Sequence, residues 1–251
     1  MPDTSSPKLT SARDDELGAY RPVSRLAIVG VIVGLLSPLA LVDLNLLLFP
    51  LVGVVVCAWA LIRIARSGTP LLGRKAAWLG LVVAVLCGTA ALADFYVYRW
   101  LVRREARQFA EAWFGFLAHG EPHKAHQLTL PPAERWPLDE NLWTFYREGP
   151  KWQEKLDDYI APAKPGEPPR LVHTLLELDD RAEVRYRETI YEQPLGEMLR
   201  VGQVYAVTHD DDGQKKTFFV AVDLERRRLP DGRWNWRLTA TKAVSGGESA
   251  D

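Results

Sequence analysis

The chain has 251 residues, 47% of them hydrophobic, with 31 Lys+Arg against 32 Asp+Glu and a formal net charge of -1. That balance lacks the positive excess or stripe that nucleic-acid binding needs, so no nucleic acid is expected as a partner. Both cysteines, Cys57 and Cys87, lie in apolar stretches, so the polar part of the chain carries neither a disulfide nor a cysteine metal site.

Residues 1–24 are rich in Ser, Pro, Asp and Thr and read as a disordered tail, with no signal-peptide cleavage pattern after it. The mean hydropathy of -0.12 then hides a split. Between Leu26 and Val97 the acidic residues are Asp43 and Asp94 alone. Three apolar stretches in this region predict a transmembrane domain over 25–98, with spans at 26–42, 46–62 and 76–97. Seventeen helical residues rise about 26 Å, slightly short of a hydrocarbon core of about 30 Å, and short spans cross by drawing in their flanks. The lipid bilayer is thus the first expected partner. Gly30 and Gly34 form a Gly-x-x-x-Gly pair, and Gly80, Ala84 and Gly88 form a ladder of small residues. Such faces let helix backbones approach closely in lipid, so the first and third spans are expected to touch there.

Basic residues set the expected orientation. Lys8, Arg13, Arg21 and Arg25 in the tail, with Arg63, Arg66, Arg74 and Lys75 in the loop, make eight on one side of a three-span domain. Arg99, Arg103, Arg104 and Arg107 make four on the other. The positive-inside rule makes the first side cytoplasmic and puts everything after the third span outside.

From Arg99 the chain is polar, with 23 Lys+Arg and 26 Asp+Glu in residues 99–251. Phe95, Tyr96, Tyr98 and Trp100 mark a membrane interface. Val102, Ala106, Phe109, Trp113 and Phe116-Leu117 then continue the helix as an amphipathic stripe. Nothing breaks this run, so one rod is expected from about Ala76 to Ala118. Gly120 ends it, Pro122 opens the next helix, and another helix is expected at Trp152–Ile160. After the linker Pro162–Pro169 the period changes to two. Strands are predicted at Leu171–Leu178, Ala182–Ile190, Met198–Thr208, Thr217–Glu225 and Arg233–Lys242, separated by turn signals such as Asp210-Asp211-Asp212-Gly213 and Pro230-Asp231-Gly232. The fold class is therefore a membrane α-helical bundle plus a soluble α+β domain over 99–243, its helices packed on a curved antiparallel sheet. Residues 244–251 read as a second tail.

Two resemblances carry further expectations. Ala60-Leu61-Ile62-Arg63-Ile64-Ala65-Arg66-Ser67-Gly68, followed by Leu72-Gly73-Arg74-Lys75-Ala76-Ala77-Trp78-Leu79-Gly80, resembles a bacterial membrane domain family of unknown function. Its members pair Gly-rich apolar helices around a basic linker, and Lys75 stands where a glycine is commoner. The resemblance implies a multi-pass anchor in the bacterial inner membrane. Phe109-Ala110-Glu111-Ala112-Trp113 and Phe116-Leu117-Ala118-His119-Gly120-Glu121-Pro122-His123-Lys124-Ala125 are similar to the opening of the nuclear-transport-factor-two-like superfamily, and 217–242 to its last strands. That likeness implies a cone-shaped α+β fold, which serves enzymes, binders and scaffolds alike.

Site candidates are few. His119, His123 and His126 are spaced four and three apart, but Gly120 and Pro122 break the helix between them, so a metal site is not expected. Glu154 with Asp157-Asp158, and Glu177 with Glu183, could pair as acid and base, yet their periodicity puts them on polar faces. Phosphate loops, nucleophile elbows and zinc-protease motifs do not occur. Arg226-Arg227-Arg228, flanked by Asp223, Glu225 and Asp231, reads as a solvated strand end. Aromatics are the one excess, with Trp113, Trp136, Trp143, Trp152, Trp234 and Trp236 in one domain. Trp113, Trp143, Trp152, Trp234 and Trp236 could line an apolar pocket under a cone-shaped sheet, or simply fill its core. No cofactor is expected. The function expected is membrane-anchored and non-enzymatic, binding an envelope protein or peptide, with an enzyme or ligand carrier as the competing class.

Overall fold

A computed structural model describes residues 25–66, 74–211 and 213–244. The expected tails at 1–24 and 245–251, the middle of the basic loop at 67–73, and Asp212 lie outside the described residues. The chain divides into two compact units, with the boundary between Arg99 and Trp100.

In the first unit, α1 (Arg25–Leu36) is followed by two short 3-10 turns, then by α2 (Leu48–Arg66) and the start of α3 (Arg74–Ala118). Two described helical stretches are long and apolar enough to cross a membrane, Asn45–Arg66 and Arg74–Ala118, and not three as the apolar runs suggested. Within the apolar window of each, 22% of the residues are buried inside the chain, whereas the core helix of a soluble protein would be mostly covered. The third stretch falls short because α1 has 12 residues and gives way to a 3-10 turn at Ser37–Leu41. Pro38 causes the change. It has no N–H to give to the Gly34 carbonyl four residues back, and beside it the Ser37 hydroxyl donates to the Val33 carbonyl at 3.3 Å. Small residues hold these helices together. A Cβ on Gly34 would lie 3.0 Å from the Gly80 backbone, and one on Gly30 would lie 2.8 Å from Cys57 Sγ. A Cβ on Gly53 would lie 3.2 Å from Ala84, and one on Gly88 would lie 3.3 Å from Pro50.

Helix α3 runs 45 residues without a break, about 68 Å at the standard rise. Its C-terminus closes in a Schellman turn: Gly120 takes φ +66°, the Glu121 N–H donates to Phe116 O at 2.8 Å, and the Gly120 N–H donates to Leu117 O at 3.1 Å.

The second unit adds α4 (Pro122–Thr129), α5 (Leu142–Glu148), α6 (Pro150–Ile160) and α7 (Leu171–Leu178), then strands β1 (Glu183–Leu195), β2 (Met198–Asp211), β3 (Gln214–Arg228) and β4 (Trp234–Val244). The strands form an open antiparallel sheet in the order β1-β2-β3-β4, so the unit is α+β. Residues 171–178, expected as a strand, are helical. Leu171, Val172, Leu175, Leu176 and Leu178 satisfy a helical stripe, and all of them pack on the core. One face of the sheet is covered: Val201, Tyr205 and Val207 of β2 and Val220, Val222 and Leu224 of β3 are fully buried with Val102, Ala106, Ala110 and Trp113 of α3. Apart from Gly202, the other face carries residues that stay half-buried or exposed, as an antiparallel sheet with one solvated side should. There Gly202 makes room for the Tyr191 ring, whose hydroxyl donates to Asp223 at 2.6 Å.

Two glycines in these helices predict opposite signs. Gly34→Val must push against the Gly80 backbone and should cost about 1–3 kcal/mol, lowering the melting midpoint of the detergent-solubilised chain. Gly115 has nothing within 4 Å of its virtual Cβ, so Gly115→Ala should add roughly 0.5–1 kcal/mol through helix propensity. Arg104→Pro, in the exposed middle of α3, should cost about 3 kcal/mol and open residues 99–105 to proteases. An unchanged midpoint and digestion pattern would mean that no continuous helix forms there.

Candidate functional site

The five tryptophans occupy three separate surroundings. Trp113 is fully buried in the core, edge-on to Phe114 at 4.8 Å, and its Nε1 donates to the Tyr159 hydroxyl at 2.8 Å. Trp236 is nearly buried, and its Nε1 donates to Glu105 of α3 at 3.2 Å. Trp234 lies at the start of β4, half-exposed, with the Arg226 guanidinium 4.6 Å above its ring. Trp143 and Trp152 belong to a helical corner made by α4, α5 and α6. Trp143 lies beside the His123 ring at 5.0 Å, and Trp152 packs near Phe145 and Tyr146.

That corner holds a buried polar network. His126 and Gln127 are buried side chains of α4, and Tyr146 is buried on α5. Gln127 Nε2 donates to the Tyr146 hydroxyl at 2.8 Å, and that hydroxyl lies 2.6 Å from His126 Nδ1. With the neutral imidazole carrying its proton on Nε2, the Tyr146 hydroxyl donates to His126 Nδ1 while it accepts from Gln127. Gln127 Oε1 accepts from the Trp136 N–H at 2.9 Å. Burial, reinforced by Lys155, lowers the His126 pKa to about 4. Burial also raises the Tyr146 hydroxyl to about 12, against the opposing effect of its Gln127 hydrogen bond. A base this weak beside an acid this weak, with no carboxylate in the network, has little to offer proton transfer near neutral pH. The network is better suited to fixing helix positions.

A second cluster ties the corner to the sheet. Arg135 donates to Asn235 Oδ1 at 2.9 Å, to Trp236 O at 2.5 Å, and to the carbonyls of Leu128 and Leu130. Burial, with Arg237 adding to it, lowers its pKa to about 10, so it stays charged. Arg237 donates to Thr129 O at 2.9 Å.

The histidines at 119, 123 and 126 do not converge: His119 is an exposed side chain in the turn after α3 whose Nδ1 lies 2.6 Å from Gly115 O, and His123 and His126 are on α4. Among the described residues no three His, Cys, Asp or Glu side chains are grouped to hold a metal ion. Glu154, Asp157, Asp158, Glu177 and Glu183 are all exposed, and His173 faces Glu177 at 3.6 Å on α7. Of the Arg226–Arg228 run, the last two residues are exposed as expected, but Arg226 is 4% exposed and pairs with Glu105 at 2.9 Å. One more step of the Val220, Val222, Leu224 alternation points to that inward position. Tyr146, Gln127 and Tyr159 have no comparable signal, because their partners are 19–46 residues away. An open depression of about 410 Å³ between two hairpin turns is lined by Glu197, Arg228, Leu229, Pro230 and Trp234.

No family model, curated protein or solved structure matches this chain.

The depressed His126 pKa carries a pH signature. The unfolded imidazole binds its proton near pH 6.5 and the folded one near 4. Its contribution is present above 6.5 and is lost as pH falls from 6.5 toward 4. Stability to urea, followed by tryptophan fluorescence, should drop by about 3 kcal/mol across that window. A profile that stays flat there would remove His126 from the folded network.

Proposed function

We propose that the chain is a membrane-anchored, non-enzymatic protein of the bacterial inner membrane, presenting its second unit outside the cytoplasm to bind or scaffold an envelope protein or peptide. The observation that carries this reading is a filled interior beside an uncovered sheet face. Trp113, Phe114, Leu117 and Tyr205 occupy the space between α3 and the sheet, where a ligand pocket would have to be. The outer face offers Phe219 under Arg187 at 4.7 Å, the Tyr191–Asp223 pair and a Thr208–Thr217 pair at 2.9 Å, a mixture suited to a polar partner surface. The edge strand β1 carries charges and two register shifts, which discourage indiscriminate strand pairing. Bulges of this kind bend a strand, in keeping with the curved sheet and the superfamily likeness proposed for this unit.

The anchor reading rests on the two long apolar helices and on the likeness of residues 26–98 to the membrane domain family. Packing inside the first unit supports the proposed orientation. Gly30 lies against Cys57, and Ser37 and Val33 lie against Gly53, so α1 and its 3-10 continuation run antiparallel to α2. Together they rise about 28 Å. This supports grouping the basic tail with Arg63, Arg66, Arg74 and Lys75 at one, cytoplasmic, end, and Asp43 and Asp94 at the other.

A phosphatase active only outside the cytoplasm, fused after Asp251, should be active, and a cytoplasm-only fluorescent reporter at the same point should be dark. The reverse pattern overturns the orientation. Saturable one-to-one uptake of a small apolar dye by the solubilised chain, abolished by Trp113→Ala, would overturn surface binding and make the second unit a ligand carrier.

A further inference from the structure

The two hairpin turns at one end of the second unit share a composition that the binding proposal leaves unused. The β1–β2 turn brings Leu195, Gly196, Glu197 and Met198 together, and the β3–β4 turn runs from Arg228 to Trp234. Around them Arg200, Arg227, Arg228 and Arg233 are exposed, against Glu197 and Asp231. Leu195 and Trp234 are exposed large apolar side chains of the same turns. Guanidinium groups interleaved with an indole and aliphatic side chains suit the headgroup layer of a bilayer, where one end of a side chain is wet and the other apolar.

Strand direction puts these turns at the end where the chain comes in from the span. On β1, Glu192 pairs with Arg103 and Tyr186 lies under Arg107, so lower helix numbers match higher strand numbers. On β2, Gln203 donates to the Arg103 carbonyl, and Tyr205 lies beside Phe114, so the helix and this strand ascend together. On β3, Arg226 pairs with Glu105. Beyond Glu192 or Arg226, four strand residues cover about 13 Å. From Glu105 back to Trp100, the first residue of the unit, five helical residues cover about 8 Å. Both turns therefore point toward the Trp100 end of the unit. Trp100 and Leu101 are themselves exposed.

We propose that these two turns form a membrane-contacting surface that rests on anionic phospholipid headgroups, with Arg227, Arg228 and Arg200 meeting phosphates and Trp234 and Leu195 entering the interfacial layer. This rests on the anchor reading, and the chain's own exposed aromatics allow the two to be tested apart. A photoreactive benzoylphenylalanine is placed singly at Trp234, at Trp78 in the apolar part of α3, and at Lys215 by the opposite β2–β3 turn. The full chain is reconstituted in nanodiscs of phosphatidylcholine and phosphatidylglycerol and irradiated, and lipid adducts are read by mass. Adducts are expected at 78 and 234 but not at 215. In the position-234 sample, R227E with R228E should lower the yield about tenfold or more, at about 1 kcal/mol for each basic residue near an anionic surface. Adducts at 78 with none at 234, or equal yields at 215 and 234, overturn the contact surface and leave the anchor standing. No adduct at 78 overturns the anchor reading itself. A charge-reversed chain that still crosslinks at full yield removes the arginines from the contact.

Discussion

One uninterrupted helix has to satisfy two different environments, and the rest of the fold follows from how α3 does so. Its first half is apolar on all sides, with Trp78, Leu79, Val82, Val85 and Leu86 exposed, so it needs lipid or other helices around it. Its second half is apolar on one stripe, where Val102, Ala106, Ala110, Trp113 and Leu117 are buried by the sheet. The backbone hydrogen bonds are the same throughout, and only the side chains change. A backbone that needs no outside partner is what lets one element serve both settings. The same demand explains the glycines of the first unit. In the lipid setting proposed for them the hydrophobic effect does not drive helices together, so close approach must do it, as where Gly34 meets the Gly80 backbone.

In the second unit the demand is different. A four-stranded open sheet has one apolar face and needs a cover. The cover comes from α3 and from the helical corner, whose own small core of Leu142, Tyr146 and Leu156 would be too small to hold alone. The corner is therefore fixed by directional bonds: His126 and Gln127 converge on Tyr146, Trp113 reaches Tyr159, and Arg135 reaches β4. Buried hydrogen bonds of this kind add modest net stability but are costly to leave half-made, so they select one arrangement of the helices.

Legibility in the sequence followed the range of the signal. Strands β2, β3 and β4 were readable because one face is buried and period two is then compulsory. The end of α3 was readable from Gly120 and Pro122, two local breakers. Residues 171–178 misled because an eight-residue apolar run fits either period, and only the core it packs against decides. The first apolar stretch misled because hydropathy does not register the hydrogen bond that Pro38 removes. For the site, composition could count tryptophans but could not separate buried Trp113 from half-exposed Trp234. The His126 network joins residues about 20 positions apart, through a contact that no local spacing encodes. The inward Arg226 continues the alternation of Val220, Val222 and Leu224, while the run of three arginines has the composition of a solvated strand end.

That arginine also explains how the sheet finds its place on α3. The helix offers Val102, Ala106, Ala110 and Trp113 as a greasy stripe, and a stripe alone allows sliding by one turn, about 5.4 Å. Glu105 stands at the edge of the stripe and takes hydrogen bonds from both Arg226 and Trp236. Sliding by a turn would leave a nearly buried guanidinium without its carboxylate, which costs about 3–5 kcal/mol. In its correct place the pair adds far less than that, since desolvation offsets most of the attraction. The ion pair therefore acts chiefly by penalising the wrong register, and the apolar stripe supplies the stability of the right one.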